Sequence, residues 1–363
     1  MVGSVRFTTI ALAFPLLYAC RTDSGLNDLV SDVPTARATL GGMHRITAPG
    51  CDDPAPPSAG HVVYRLPDGH LRRIEAKEGA VAEDISILLD RIGLGQDAFI
   101  NTSPDGEWLL VQTSRFGCGV SSCLAVVGRT VCQADVIVAD ASTLPAEGYS
   151  AIGNGGNLVV YPAQGGPHKV DLFAVSRKLA TDAWGKPVLL TAGSPHVYHN
   201  QPTLSKDGLT VLMDCGEEPA AASGTDICEA RIDGSGVSVV VPQTGPGGAT
   251  PAANHHAAYA PDGTLVFEGT WNRGGEQVWR EPRGHEPALV NGEIIDVNPT
   301  VWRFTDDNSP CVLPDGRIAS LWLGRAGAKK GGHELKVMNP DGTAPVMVAT
   351  EVDVVDVGLG CGK

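Results

Sequence analysis

Three stretches of this chain bring together side chains able to coordinate a metal or to donate and accept protons. They are His196-Val197-Tyr198-His199-Asn200-Gln201, Asn254-His255-His256, and Asn298-Pro299-Thr300-Val301-Trp302 with Asp306-Asp307-Asn308 just beyond. Neutral imidazoles bind transition metals readily, and three of them from separate segments can share one ion. His199, His255 and His256 are therefore the candidate ligands of a divalent metal. Together with Gln201, Trp302 and Asn308 they also make a polar ligand site that needs no metal or other cofactor. The same groups can simply solvate a channel mouth and bridge waters, and Asp306 and Asp307 read as solvated loop acids.

Other chemistries find no support. A serine hydrolase of the α/β type needs a G-x-S-x-G elbow to expose its nucleophile; the chain has none, and Ser121-Ser122 lies in a loop bounded by cysteines. Gly153-Asn154-Gly155-Gly156 precedes no helical pattern, so it is a turn and not a phosphate cradle. The formal charge is −14 with acids and bases interspersed, which leaves no basic stripe for a phosphate backbone, so no nucleic-acid partner is expected.

The elements that must position these groups are strands. A 42% hydrophobic content with 45 Gly and 26 Pro describes many tight turns around a substantial core. One turn recurs: Ser103-Pro104-Asp105-Gly106, Ser205-Lys206-Asp207-Gly208, Ala260-Pro261-Asp262-Gly263 and Leu313-Pro314-Asp315-Gly316. Asp207 to Asp262 is 55 residues and Asp262 to Asp315 is 53, while Asp105 to Asp207 is 102, two periods with the degenerate copy Asn154-Gly155-Gly156-Asn157 between them. Pro presets φ, Asp accepts a local backbone hydrogen bond and Gly supplies the positive φ that closes a hairpin. A second turn class stands 26 residues later, at Asp233 and Asp341, so each period holds two hairpins and four strands. The segments opening at Asp226, His333, Asp135, Asp171 and Gln277 read as third strands.

This phase-locked Pro-Asp-Gly repeat, with an acidic residue opening the third strand, resembles that of the TolB-like propellers. The resemblance covers residues 40–363 and implies an all-β fold, a six-bladed β-propeller of four-stranded blades. Five complete blades centre on Asp105, Asn154, Asp207, Asp262 and Asp315. Leu66-Pro67-Asp68-Gly69 matches the second turn class with no first-class turn at Gly42, so a sixth blade lacks its first strand. The C-terminal segment Val352 to Leu359 is expected to join this N-terminal blade, supply that strand and close the ring.

Strand alternation puts the short hairpin turns on one face and the longer loops on the other, where function is expected. There the polar segments would ring the mouth of the central channel. The first expectation is a non-catalytic scaffold binding an envelope protein, a glycan or a small ligand on its long-loop face, as a monomer; TolB works in this way within a complex spanning the envelope. The extra N-terminal domain of TolB has no counterpart if the propeller begins near residue 40. The alternative is a metal-dependent polysaccharide lyase or hydrolase, because the His and Gln at the channel mouth look distantly like those of oligogalacturonate lyase.

Residues 1–19 carry Arg6 and an apolar run from Phe7 to Tyr18, which is a signal peptide too short to span a bilayer. Leu17-Tyr18-Ala19-Cys20 resembles the bacterial lipobox, in which the Cys is diacylated; this implies membrane attachment through a lipid anchor only, at the outer membrane, facing the periplasm or the cell surface. Residues 20–39 are then the lipidated Cys20 and a flexible tether. Removing Cys20 from nine Cys leaves eight, compatible with four disulfides. On the blade layout Cys215 pairs with Cys228, and one of Cys118, Cys123 and Cys132 reaches Cys51 while the other two join locally. Cys311 pairs with Cys361, unless the register of the last strand brings Cys361 to Cys51 instead.

Overall fold

The computed structural model describes residues 45–47, 60–118, 123–138, 149–217, 224–245, 253–271, 277–291, 307–322, 333–352 and 358–363. The signal segment, Cys20, the tether, Cys51, Trp302 and Asp306 lie outside the described residues.

Local turn chemistry builds the hairpins. At Ser205-Lys206-Asp207-Gly208 the Gly adopts φ +69° and its N–H donates to Ser205 O at 2.9 Å, while Asp207 Oδ1 accepts from Leu209 N at 3.0 Å. The same pair of bonds closes the turns at Asp262 and Asp315, and those of the second class at Asp233 and Asp341.

In chain order the strands are β1 (Arg45–Thr47), β2 (His61–Arg65), β3 (Leu71–Glu75) and β4 (Glu83–Asp84), then β5 (Asp97–Thr102), β6 (Trp108–Thr113), β7 (Cys123–Gly128) and β8 (Gln133–Val138). A third group is β9 (Ala151–Ile152), β10 (Leu158–Ala163), β11 (Asp171–Ser176) and β12 (Val188–Leu189). The fourth is β13 (Tyr198–Leu204), β14 (Thr210–Gly216), β15 (Asp226–Arg231) and β16 (Val237–Val241). The fifth is β17 (Asn254–Tyr259), β18 (Leu265–Gly269), β19 (Gln277–Glu281) and β20 (Ala288–Asn291). The sixth is β21 (Asp307–Val312), β22 (Ile318–Trp322), β23 (His333–Met338) and β24 (Val346–Val352), after which comes β25 (Gly360–Gly362).

These make six antiparallel blades in a ring, each innermost strand listed first: β25-β2-β3-β4, β5 to β8, β9 to β12, β13 to β16, β17 to β20 and β21 to β24. The first blade is split as expected, its innermost strand coming from the end of the chain, with His61 opposite Gly362 and Val63 opposite Gly360. Among the described residues no helix is long and apolar enough to cross a membrane.

The core is divided among the blade boundaries. Six separate apolar clusters are present among the described residues, one at each junction. Successive residues of one strand serve opposite junctions: Val211 and Met213 pack toward the third blade, Leu212 toward the fifth. A strand covered on both faces must be apolar at nearly every position, which is why these runs show so little alternation.

Four expectations need correction. The closing strand is Gly360–Gly362; Val352 still belongs to β24 of the sixth blade. Leu66-Pro67-Asp68-Gly69 joins the second and third strands of the split blade, not the third and fourth. The Pro-Asp-Gly chemistry closes any tight hairpin, so residue type alone did not reveal which connection it made. Asp135 lies in the fourth strand of its blade, because the third, Cys123–Gly128, opens on a Cys and not on an acid. Consequently Cys132 sits between the third and fourth strands, while the place expected for Cys51 lies outside the described residues. The second blade also gains a fifth strand, β1, which pairs with its β8, Arg45 standing opposite Asp135.

The described cysteines are joined as Cys118–Cys123, Cys215–Cys228 and Cys311–Cys361. Cys132 is disulfide-bonded as well; the bond expected to Cys51 falls outside the described residues.

Candidate ligand site in the central channel

Three consecutive innermost strands are interrupted at the same position. Gln201, His256 and Ser309 have φ of +52°, +50° and +48°, and the strand pairing slips at each of them. Left-handed backbone at a non-glycine residue costs on the order of 1 kcal/mol, so a bulge repeated in three blades points to a position the fold needs.

At two of the bulges a side chain of the preceding blade takes up the freed backbone N–H. His256 N donates to Gln201 Oε1 of the fourth blade at 2.9 Å, and Ser309 N donates to Glu268 Oε2 of the fifth at 2.8 Å. Glu268 Oε2 also accepts from His256 Nδ1 at 3.1 Å. One residue earlier, His255 Nδ1 donates to Asp214 Oδ2 at 2.7 Å across the same blade boundary. Asp214 and Glu268 are each only 2% exposed.

Burial pushes Asp214 above the usual carboxylate range, against the pull of the His255 and His256 imidazoles. For Glu268 burial is outweighed by the His256 hydrogen bond and charge, and the carboxyl is held below its ordinary value. His256 moves the opposite way: burial lowers it, but Glu268 and Asp214 raise it further.

Gln201 and His256 line a central cavity of about 540 Å³, to which the innermost segments of all six blades contribute. Its walls include Phe99, Tyr149 and Tyr259, and it reaches the short-turn face at Pro104, Asp105, Lys206, Pro261 and Pro314. The expected ligand face was the opposite one, bearing the long loops.

Of the three histidines offered as metal ligands, His199 stands apart from His255 and His256, whose ring centroids are 6.4 Å from each other. His199 is fully buried between the third and fourth blades, where Nδ1 donates to Val170 O at 2.9 Å and Nε2 accepts from Ser194 Oγ at 2.7 Å. Burial, assisted by His168 and His196, lowers it to about 4, against the Val170 carbonyl and Asp171. Its near neighbours of ligand type are His168 and Asp171, not His255 or His256. Asp171 already accepts from Thr191 Oγ1 at 2.6 Å and His168 Nδ1 at 2.7 Å. Asn308 precedes the third bulge opposite Leu321 and is not part of the cavity wall. Asp307 opens β21 and begins the same strand.

Asp214, Glu268 and Tyr149 were not anticipated from the sequence. The first two carried a signal: each ends an otherwise apolar run, Val211-Leu212-Met213-Asp214 and Leu265-Val266-Phe267-Glu268.

The fold is shared with solved structures. TolB from Acinetobacter baumannii superposes with a TM-score of 0.58 at 13% identity, over 85% of this chain and 68% of that one. The putative TolB from Agrobacterium tumefaciens gives 0.51 at 14%, over 85% and 90%. A chain of the nidogen/laminin complex gives 0.51 at 7%, over 84% and 98%. The similarity to these proteins is one of fold, a TolB-like propeller. No protein-family model matches the chain, and no curated protein does.

Proposed function

We propose that this protein is a cell-envelope lipoprotein whose propeller is a non-catalytic scaffold binding a protein, a glycan or a small ligand. The observation that carries this reading is the use made of the histidines. His199, His255 and His256 each hold a neighbouring segment or blade through Nδ1, to Val170, Asp214 and Glu268, and so act as joints of a rigid ring. A rigid ring with an accessible cavity and two loop-bearing faces suits recognition better than turnover. The lipobox-like Leu17-Tyr18-Ala19-Cys20 supports an anchored, monomeric protein at the outer membrane, facing the periplasm or the surface. Likeness of fold to the TolB structures agrees with an envelope setting.

Capture of a defined envelope component by the purified chain from detergent-solubilised membranes tests this, with a heat-unfolded sample as control. Metal analysis and assay on acidic oligosaccharides test the lyase alternative. Turnover dependent on a metal that His199→Ala removes would replace the scaffold by the enzyme.

A further inference from the structure

The charge of the cavity wall runs against that of the chain. The chain carries −14, yet the wall holds two lysines, Lys206 and Lys363, and a single acid, Asp105. Asp105 is already spent: Oδ2 accepts from Gly155 N at 2.6 Å, while Oδ1 accepts from Glu107 N at 3.2 Å and from Ser103 Oγ. Both lysines are exposed at the rim.

At the inner end His256 has a side chain only 9% exposed. Its Nδ1 faces Glu268, which also accepts from Ser309 N, the pattern of an ionised carboxylate balanced by an imidazolium. Its Nε2 is buried and has no hydrogen-bond partner among the described residues. A buried donor left in this state is costly, and a ligand oxygen removes the cost. The Gln201 side chain accepts from His256 N through Oε1, which leaves its NH2 group as a second donor on the same cavity wall. Around these donors stand Phe99, Tyr149, Ile152 and Leu359, an apolar sleeve.

We propose that the central cavity is a binding site for a small organic acid with an apolar body, its carboxylate meeting His256 Nε2 and the Gln201 amide. The rim lysines draw the anion in, and the aromatic walls take the body. This rests on the scaffold reading and names one ligand class for it.

Calorimetric titration of the full chain with 3-phenylpropionate, set beside its neutral amide, tests the site. The acid is expected to bind about tenfold or more tightly than the amide, as a lost charged hydrogen bond implies. His256→Ala abolishes that preference. Lys206→Glu, at an exposed position that the fold does not need, weakens the acid several-fold and leaves the amide unchanged. Equal binding of acid and amide, or an indifferent Lys206→Glu, overturns the anionic anchor while the scaffold reading stands on its own capture experiment. A peptide with a free C-terminal carboxylate that binds where 3-phenylpropionate does not would also overturn the small-acid assignment.

Discussion

Asp214 of the fourth blade and His255 of the fifth meet at 2.7 Å across a junction that also holds the apolar cluster of Leu212, Phe267 and Trp279. Asp214 is 2% exposed, so replacing it by Ala removes the buried acceptor that His255 Nδ1 uses and leaves a gap at the blade boundary. Asp214→Ala is expected to lower unfolding stability by about 3 to 5 kcal/mol, the usual cost of breaking a buried pair by one partner. Asp214→Asn, which keeps an acceptor, costs less. Urea midpoints decide it, and an alanine variant as stable as the parent would show that the pair is not holding the blades.

Stability should fall in acid through two other histidines. Burial, with the Arg73 and Arg129 charges, lowers His61 to about 4, against the Lys363 carbonyl, and burial likewise takes His199 to about 4. From the ordinary value of 6.5 down to about 4 the unfolded chain takes up protons that the fold refuses. Each group then removes about 1.4 kcal/mol per pH unit. His256 has the opposite sign: raised in the fold, its contribution is present at low pH and is lost as pH rises through its folded value. Chemical denaturation at pH 7 and pH 5 should show the acid loss, smaller in His61→Gln and in His199→Gln. Identical slopes in parent and variants would count against these two residues.

The blade count was readable because Asp207, Asp262 and Asp315 stand at a nearly constant period and their turns are decided by neighbours in sequence. Position within a blade was less readable. Asp68 and Asp207 have the same turn chemistry, and only the pairing of β2 with β25 tells that one closes a second-to-third connection. The site was half legible for a related reason. Gln201 and His256 were visible as polar residues at the starts of inner strands, but the bulge that turns His256 into the channel wall is held by an acceptor 55 residues away in another blade, Gln201 itself. His199 looked equivalent to them and is not, since it precedes its bulge by two residues and bonds to Val170 O and Ser194 Oγ instead.

On the lipoprotein proposal, Cys20→Ser is expected to move the protein from the membrane to the soluble fraction without changing its melting temperature, because a lipid anchor adds no packing within the propeller. Fractionation and the mass of the mature N-terminal peptide check it. A wild-type peptide with an unmodified Cys20 at that terminus would remove the lipoprotein reading.

The strongest expectation concerns the closing strand. β25 gives the first blade its innermost strand through three residue pairs with β2, and Lys363 N continues into the second blade by donating to Pro104 O at 3.1 Å. The approach is close: a Cβ on Gly360 would stand 2.5 Å from Asn101 Oδ1, 2.6 Å from Val63 Cγ2 and 2.9 Å from Thr102 N, two of these in the neighbouring blade. Gly360→Val must therefore push the strand off. The Cys311–Cys361 bond ties this strand to the sixth blade. Replacing both cysteines by Ser is expected to cost about 2 to 4 kcal/mol through loss of the cross-link. Deleting residues 358–363 removes the same bond and also leaves the β2 edge unpaired, so it must cost more than the double Ser variant. Gly360→Val, with the disulfide still able to form, falls between parent and deletion. Thermal melts of the four proteins give the order parent, Gly360→Val or double Ser, then deletion; a deletion variant melting with the parent would mean that the ring does not depend on its last strand.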